Sequence, residues 1–239
     1  MTRVRSVGVD LAAGALLLAA VAITTWRLFD LSATYLPQAV ALYALLAVLV
    51  LWTAPVTGRP DGLGTANRVT LGRAALLLPI AVLALHGEGL DAPAYWWIIG
   101  VSTIAMALDG VDGWTARRSG TATGFGARFD MELDAFLLVA LSILVWRSGQ
   151  TGPWVILIGM LRYLFVAAGW IWPALQGRLP ASRRRKVMCV VQGVALLVCL
   201  GPIVPAPMAS VTAAGALGLL VYSFATDVRY LVRGSAQVR

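Results

Sequence analysis

The chain has 239 residues, of which 59% are hydrophobic and only 13% charged, and its mean hydropathy is +0.82. A soluble domain carries about twice that charged fraction, so the composition is that of a polytopic membrane protein. The net charge of +8 invites a nucleic-acid partner, but the basic residues sit between apolar spans and no soluble domain remains to bind DNA. Topology accounts for the charge instead.

Eight apolar segments, each near the ~20 residues needed to cross a bilayer, are predicted over 7–26, 34–53, 68–86, 94–108, 127–145, 154–175, 187–204 and 208–230. Arg3 and Arg5 before a long first span, followed at once by a second, fit an uncleaved anchor. The first two spans and the linker after them, PVTGRPDGLG, read as a hairpin (1–54) and a cytoplasmic connection (55–65) ahead of a further domain over 66–239. The hairpin is expected to supply packing or dimer surface. With the N-terminus in the cytoplasm, nearly all basic residues fall inside and only Arg27 and Arg147 outside. Both termini and the acidic segment described below are then cytoplasmic, in a multi-pass protein of the cell membrane.

The third span opens with TANRVTLGR, which sets Asn67, Thr70 and Arg73 at three-residue spacing along one side of a helix. Read without reference to any family, Asn67 is a helix cap and Arg73 snorkels to lipid headgroups. His86 is placed at the outer surface and given no chemistry.

Between 108 and 136 the chain reads LDGVDGWTARRSGTATGFGARFDMELDAF. Asp109, Asp112, Asp130, Glu132 and Asp134 supply five of the eleven acids of the whole chain. Carboxylates at a membrane boundary are costly unless a cation compensates them. On a helix Asp109 and Asp112 share a face, as do Gly126, Asp130 and Asp134 at i, i+4, i+8, whereas Glu132 is rotated roughly 200° from Asp130. The Gly, Ser and Thr residues of RSGTATGF, 118–125, reverse the chain, so two helix ends can aim four carboxylates at one point. Hard oxygen donors favour Mg²⁺, Mn²⁺ or Ca²⁺ over zinc, and Mg²⁺ commonly shares its shell with a substrate phosphate.

Later in the chain, Arg162 falls in the middle of an apolar span without an acid and is expected to face the interior or a wet cavity, paired with an aspartate of the acidic segment. Arg183, Arg184, Arg185 and Lys186 form a basic run that suits anionic lipid and fixes topology. Gln192, two turns on, is a candidate pocket residue, and Asp227 reads as a surface charge. Cys189 and Cys199 lie too far apart on one helix to bridge.

The order Asp109-x2-Asp112-Gly113-x2-Ala116-Arg117-x8-Gly126-x3-Asp130-x3-Asp134 resembles the full signature of the CDP-alcohol phosphatidyltransferase family, at eight positions without a gap. The resemblance covers about 66–233 and implies an all-α, six-helix membrane core, here preceded by the extra hairpin. It implies transfer of a substituted phosphate, in the first instance phosphatidyl from CDP-diacylglycerol, to an acceptor alcohol with release of CMP. It also implies two divalent ions, Mg²⁺ or alternatively Mn²⁺, and a homodimer among membrane lipids. By the same resemblance Asp109, Asp112, Asp130 and Asp134 hold metal, and Asp134 is also the general base. Asn67, Thr70, Asp112, Gly113, Ala116, Arg117 and Gly126 bind nucleotide, while Arg73, Arg162, Arg183, Arg184, Arg185 and Lys186 bind acceptor. The family's Pro-Asn before the third span is Ala66-Asn67 here, and the Gly-Lys-x-Lys-Thr pattern frequent in members acting on glycerol phosphate is absent. Glycerol phosphate, inositol phosphate, serine or another headgroup therefore stay open, as does a CDP-amino-alcohol donor with diacylglycerol. Two rivals are an aspartate-rich prenyl diphosphate transferase, whose acidic motifs lie on distant helices, and a cation transporter, whose acids are spread through the bilayer depth.

Overall fold

A computed structural model describes residues 2–53, 63–86, 89–119, 124–177, 179–180 and 182–236, with side chains described outside 2–6, 111–119 and 234–236. Among the described residues there are eight α-helices and no strand: α1 Thr2–Leu28, α2 Tyr35–Thr53, α3 Thr65–Leu83, α4 Ala92–Ser119, α5 Gly124–Arg147, α6 Ile156–Ile171, α7 Arg183–Leu200 and α8 Ala206–Ala236. Short 3₁₀ turns at Pro153–Val155 and Pro173–Gln176 flank α6. Among the described residues, five stretches are long and apolar enough to cross a membrane: Val7–Leu28, Tyr35–Thr53, Thr65–Leu83, Pro153–Ile171 and Ala206–Arg233. The helices outside that set, α4, α5 and α7, are those carrying the acidic signature and the basic run. Large apolar side chains such as Leu16, Trp52, Trp170 and Ile171 face outward, as they do on a surface solvated by lipid tails. The chain is therefore an all-helical, multi-pass membrane protein. The expected reversal over 118–125 falls partly on residues 120–123, outside the described residues; α4 ends at Ser119 and α5 begins at Gly124.

Two compact units divide the chain, Met1–Asp134 and Ala135–Arg239. In the first, α3 is the central element. Its spanning stretch is 67% buried, against 17% to 28% for the other four, because α1, α2 and α4 all pack on it. Leu71, Ala74, Leu77, Ile80 and Leu83 fill its contacts with them. Pro79 interrupts α3, and the Tyr35 hydroxyl of α2 donates to the Pro79 carbonyl at 2.9 Å, satisfying a buried acceptor across the helix pair. At the far end of α3, His86 pairs with Gln38 at 2.7 Å and Ser32 at 3.3 Å, a structural bond to the turn between α1 and α2.

The second unit packs the rest of α5 with α6, α7 and α8. Asp227 is buried, not the surface charge expected from its sequence position: the Arg184 Nη2–H and Arg185 Nη1–H donate to its Oδ1 at 2.5 and 3.3 Å. The cause is antiparallel packing, which sets the first turn of α7 beside the last turns of α8. Gln192 is likewise fully buried and donates to the Ala216 carbonyl at 2.9 Å, so it ties α7 to α8.

Where α6 crosses α5, Gly159 lets two backbones meet: an added Cβ would lie 2.6 Å from the Val139 nitrogen and 2.9 Å from the Leu138 carbonyl carbon. Backbone cannot yield as a flexible side chain can. Gly159→Val is expected to destabilise the detergent-purified protein by at least about 2 kcal/mol, read as a lowered thermal midpoint. Gly100→Ala, where nothing lies within 4 Å, should leave the midpoint unchanged or slightly raised.

Candidate active site

The site is assembled around Arg73, which α3 carries into the middle of the first unit. Its side chain is only 1% exposed, because α4 lies along α3 and covers it. The Nε–H donates to the Ala105 carbonyl at 2.9 Å. One turn on along α4, the Asp109 Oδ1 accepts from Nη1 at 2.9 Å. The first turns of α5 complete the set: Asp130 accepts from the same Nη1, and the Asp134 Oδ1 accepts from Nη2 at 2.6 Å. The snorkelling alternative is thereby overturned, since a guanidinium fully inside the helix packing cannot reach lipid headgroups.

Asp109, Asp130 and Asp134 each offer one oxygen within 4.8 Å of the others. Two like charges at that separation repel by about 3 kcal/mol at an effective dielectric near 20. Arg73 attracts each acid at hydrogen-bond distance, so it offsets their mutual repulsion. With all three acids ionised the group keeps two formal negative charges, half exposed at 32%, 38% and 24%. Every donor is a carboxylate oxygen, the set that hard divalent ions prefer, and the spacing suits one ion shared among them. Accepting from Arg73 through Oδ1 does not exhaust a carboxylate, which has two oxygens and about four lone-pair sites. The residues present thus fit a divalent cation; its identity is a separate matter.

The spacing argument held for Glu132, which is exposed and outside the cluster. Asp112, Gly113, Ala116 and Arg117 continue the helical backbone of α4, with their side chains outside the described residues. Gly126 begins the α5 face that carries Asp130 and Asp134. Asn67 and Thr70 are buried on α3 and turn back onto their own helix: Asn67 Nδ2–H donates to the Leu63 carbonyl at 2.7 Å, and the Thr70 hydroxyl to the Ala66 carbonyl at 3.2 Å. Asn67 is therefore not the N-cap, which is Gly64. In the second unit, Arg162 is half-buried on α6, Arg183 and Lys186 are exposed, and Arg184 and Arg185 are engaged with Asp227. Sequence reading passed over Asp10 as well as the pairing of Asp227. The available signal at both was an ionisable residue in an apolar helix, which demands a partner.

Removing the guanidinium should leave three acids uncompensated. Arg73→Ala is expected to lower stability in metal-free buffer by about 2 kcal/mol, a buried-pair loss discounted for the partly exposed acids. Added Mg²⁺ should recover part of it, as would be seen by comparing thermal midpoints with and without the ion. Equal loss with and without Mg²⁺ would show that the acids do not share a cation.

Residues 63–224 match the CDP-alcohol phosphatidyltransferase family. The chain is 31% identical over 183 residues to the probable phosphatidylglycerophosphate synthase of Mycobacterium tuberculosis, in strains CDC 1551 and H37Rv, covering 76% of this chain and 86% of that protein. It is 35% identical over 119 residues to the CDP-diacylglycerol–glycerol-3-phosphate 3-phosphatidyltransferase of Pseudomonas fluorescens, covering 47% of this chain and 57% of that one. No solved structure is significantly similar to it. Since the matched region contains the entire acidic signature together with the helix that supplies Arg73, the chain belongs to the CDP-alcohol phosphatidyltransferase family, as a membrane transferase of phospholipid biosynthesis that passes a phosphatidyl group to an alcohol.

Proposed function

We propose that this enzyme transfers phosphatidyl from CDP-diacylglycerol to glycerol 3-phosphate, releasing CMP, in a reaction that requires a divalent cation, Mg²⁺ or Mn²⁺. The observation that carries the reading is the convergence of Asp109, Asp130 and Asp134 within 4.8 Å inside the region matched by the family. The acceptor follows the names of the two relatives, one a phosphatidylglycerophosphate synthase and the other acting from CDP-diacylglycerol on glycerol 3-phosphate. It stands against the missing Gly-Lys-x-Lys-Thr pattern, and so needs its own test.

Asp109, Asp112, Asp130 and Asp134 are proposed to hold two ions, which would neutralise the donor's diphosphate and stabilise CMP as leaving group. Asp134 takes the proton of the acceptor hydroxyl, whose oxygen attacks the phosphorus that bears diacylglycerol. The phosphoanhydride bond breaks and its electron pair leaves with CMP. Arg73 keeps the Asp134 carboxylate oriented, since its Nη2 contacts that group at 2.6 Å. Asn67, Thr70 and Arg117 are assigned to the nucleotide, with Gly113, Ala116 and Gly126 leaving room beside the helix backbones. Arg162, Arg183 and Lys186 are assigned to an anionic acceptor.

In this reading α3 to α8 form the six-helix core over 66–239, and α1 and α2 form a hairpin over 1–54 joined by the linker 55–65. All eight helices span the membrane, with both termini and the acids on the cytoplasmic side. The concentration of arginine on that side in the sequence supports the orientation. The homodimer is carried over from the family.

The deciding experiment incubates purified protein with CDP-diacylglycerol, Mg²⁺ and a panel of glycerol 3-phosphate, inositol phosphate and serine, and identifies lipid products by mass. Phosphatidylglycerophosphate with stoichiometric CMP is expected; a different lipid would reassign the acceptor, and release of diphosphate would end the reading. Asp134→Asn should lower kcat at least about 10³-fold with donor binding largely retained. Asp109→Asn should weaken metal and donor binding together, and Glu132→Gln should be nearly silent in the same assay.

A further inference from the structure

The N-terminal hairpin lies outside the family match at 63–224, yet it reaches the helix that carries Asn67, Thr70 and Arg73. That helix starts without help from its own sequence. The N-cap of α3 is Gly64, at φ 82 and ψ 157, with no side-chain capping bond. Such backbone is essentially confined to glycine, which has no side chain with which to cap. Helix starts leave N–H groups that must find acceptors elsewhere.

Leu63, the residue just ahead of this start, is held from α1. Asp10 is only 9% exposed; its Oδ2 accepts the Leu63 backbone N–H at 3.0 Å, and its Oδ1 accepts the Arg68 Nε–H at 2.8 Å. The carbonyl of the same Leu63 accepts from Asn67 Nδ2 at 2.7 Å. Leu63 is thus gripped from both sides, its N–H by the hairpin and its carbonyl by a candidate nucleotide ligand. A negative group beside the N-terminus of α3 also suits the helix dipole. Packing alone would be served by an apolar residue at position 10, without the several kcal/mol that desolvating a carboxylate costs.

We infer that Asp10 is a positioning residue for the transferase site: through the Leu63 peptide it orients Asn67, and through Arg68 it fixes the first turn of α3. This rests on the nucleotide role proposed above for Asn67. Because the connection runs through Asn67, loss of Asp10 acts on the KM for the CDP-linked donor and not on the KM for the acceptor. A mere fastening of the hairpin would lower the thermal midpoint and leave the kinetics of the folded enzyme alone.

The test is steady-state kinetics of the full-length protein in detergent micelles with CDP-diacylglycerol, Mg²⁺ and glycerol 3-phosphate, or whichever alcohol the acceptor panel selects. Asp10→Ala is expected to raise the donor KM roughly tenfold, the usual scale for removing a residue that orients a binding group, with the acceptor KM unchanged. Asp10→Asn keeps an oxygen for the Leu63 N–H and should raise it about threefold. In an Asn67→Ala background Asp10→Ala should add little, since the group it orients is gone. If Asp10→Ala does not fold, Asp10→Asn carries the same comparison. An unchanged donor KM, or Asp10 and Asn67 effects that multiply independently, overturns the inference. A wild-type enzyme that releases no CMP with any alcohol removes the function reading and this inference with it, an outcome distinguishable because it precedes any comparison of variants.

Discussion

One buried guanidinium shared among three carboxylates is the interaction on which this molecule depends. Without Arg73, Asp109, Asp130 and Asp134 would repel one another at separations below 5 Å, with water reaching them only in part. With it, they are held together and still keep an excess of negative charge. That balance is what a cation-dependent site requires. Full neutralisation would leave nothing to attract an ion, and no neutralisation would spread the helices.

The scaffold serves that balance. Burying Arg73 requires α3 to be enclosed, and of the five membrane-length apolar stretches among the described residues the most enclosed is the one carrying this guanidinium. Ala105 is small enough for α4 to lie close, and its carbonyl takes the Nε–H. The hairpin encloses α3 from another side and, through Asp10, holds Leu63 just ahead of the Gly64 cap. Residues outside the family region therefore support residues inside it, through a chain of bonds two links long.

Charge in the second unit has a different use. Two of the four basic residues at the start of α7 are matched to Asp227 on α8, so the run is partly a helix-to-helix fastening. Arg183 and Lys186 are exposed and keep their charge available to anions. A run of like charges in sequence thus resolves, once folded, into residues with separate tasks.

The amino-acid sequence alone was enough to establish a helical membrane chain, the family, and that Asp130 and Asp134 share a face. Hydropathy over about 20 residues and the 3.6-residue period are local properties, so the grouping of Asp130 with Asp134 and the outward facing of Glu132 follow from spacing. It could not say which cation meets the acids: Arg73 lies far from them in sequence, and at a helix end an arginine can as well reach lipid. Nor could it reveal that Asp10 holds the start of α3, that Asp227 is buried, or that Gln192 ties α7 to α8. Each of these depends on which helices become neighbours. Helix packing decides that by fitting side-chain volumes together over the whole fold, and no short window of sequence contains the information.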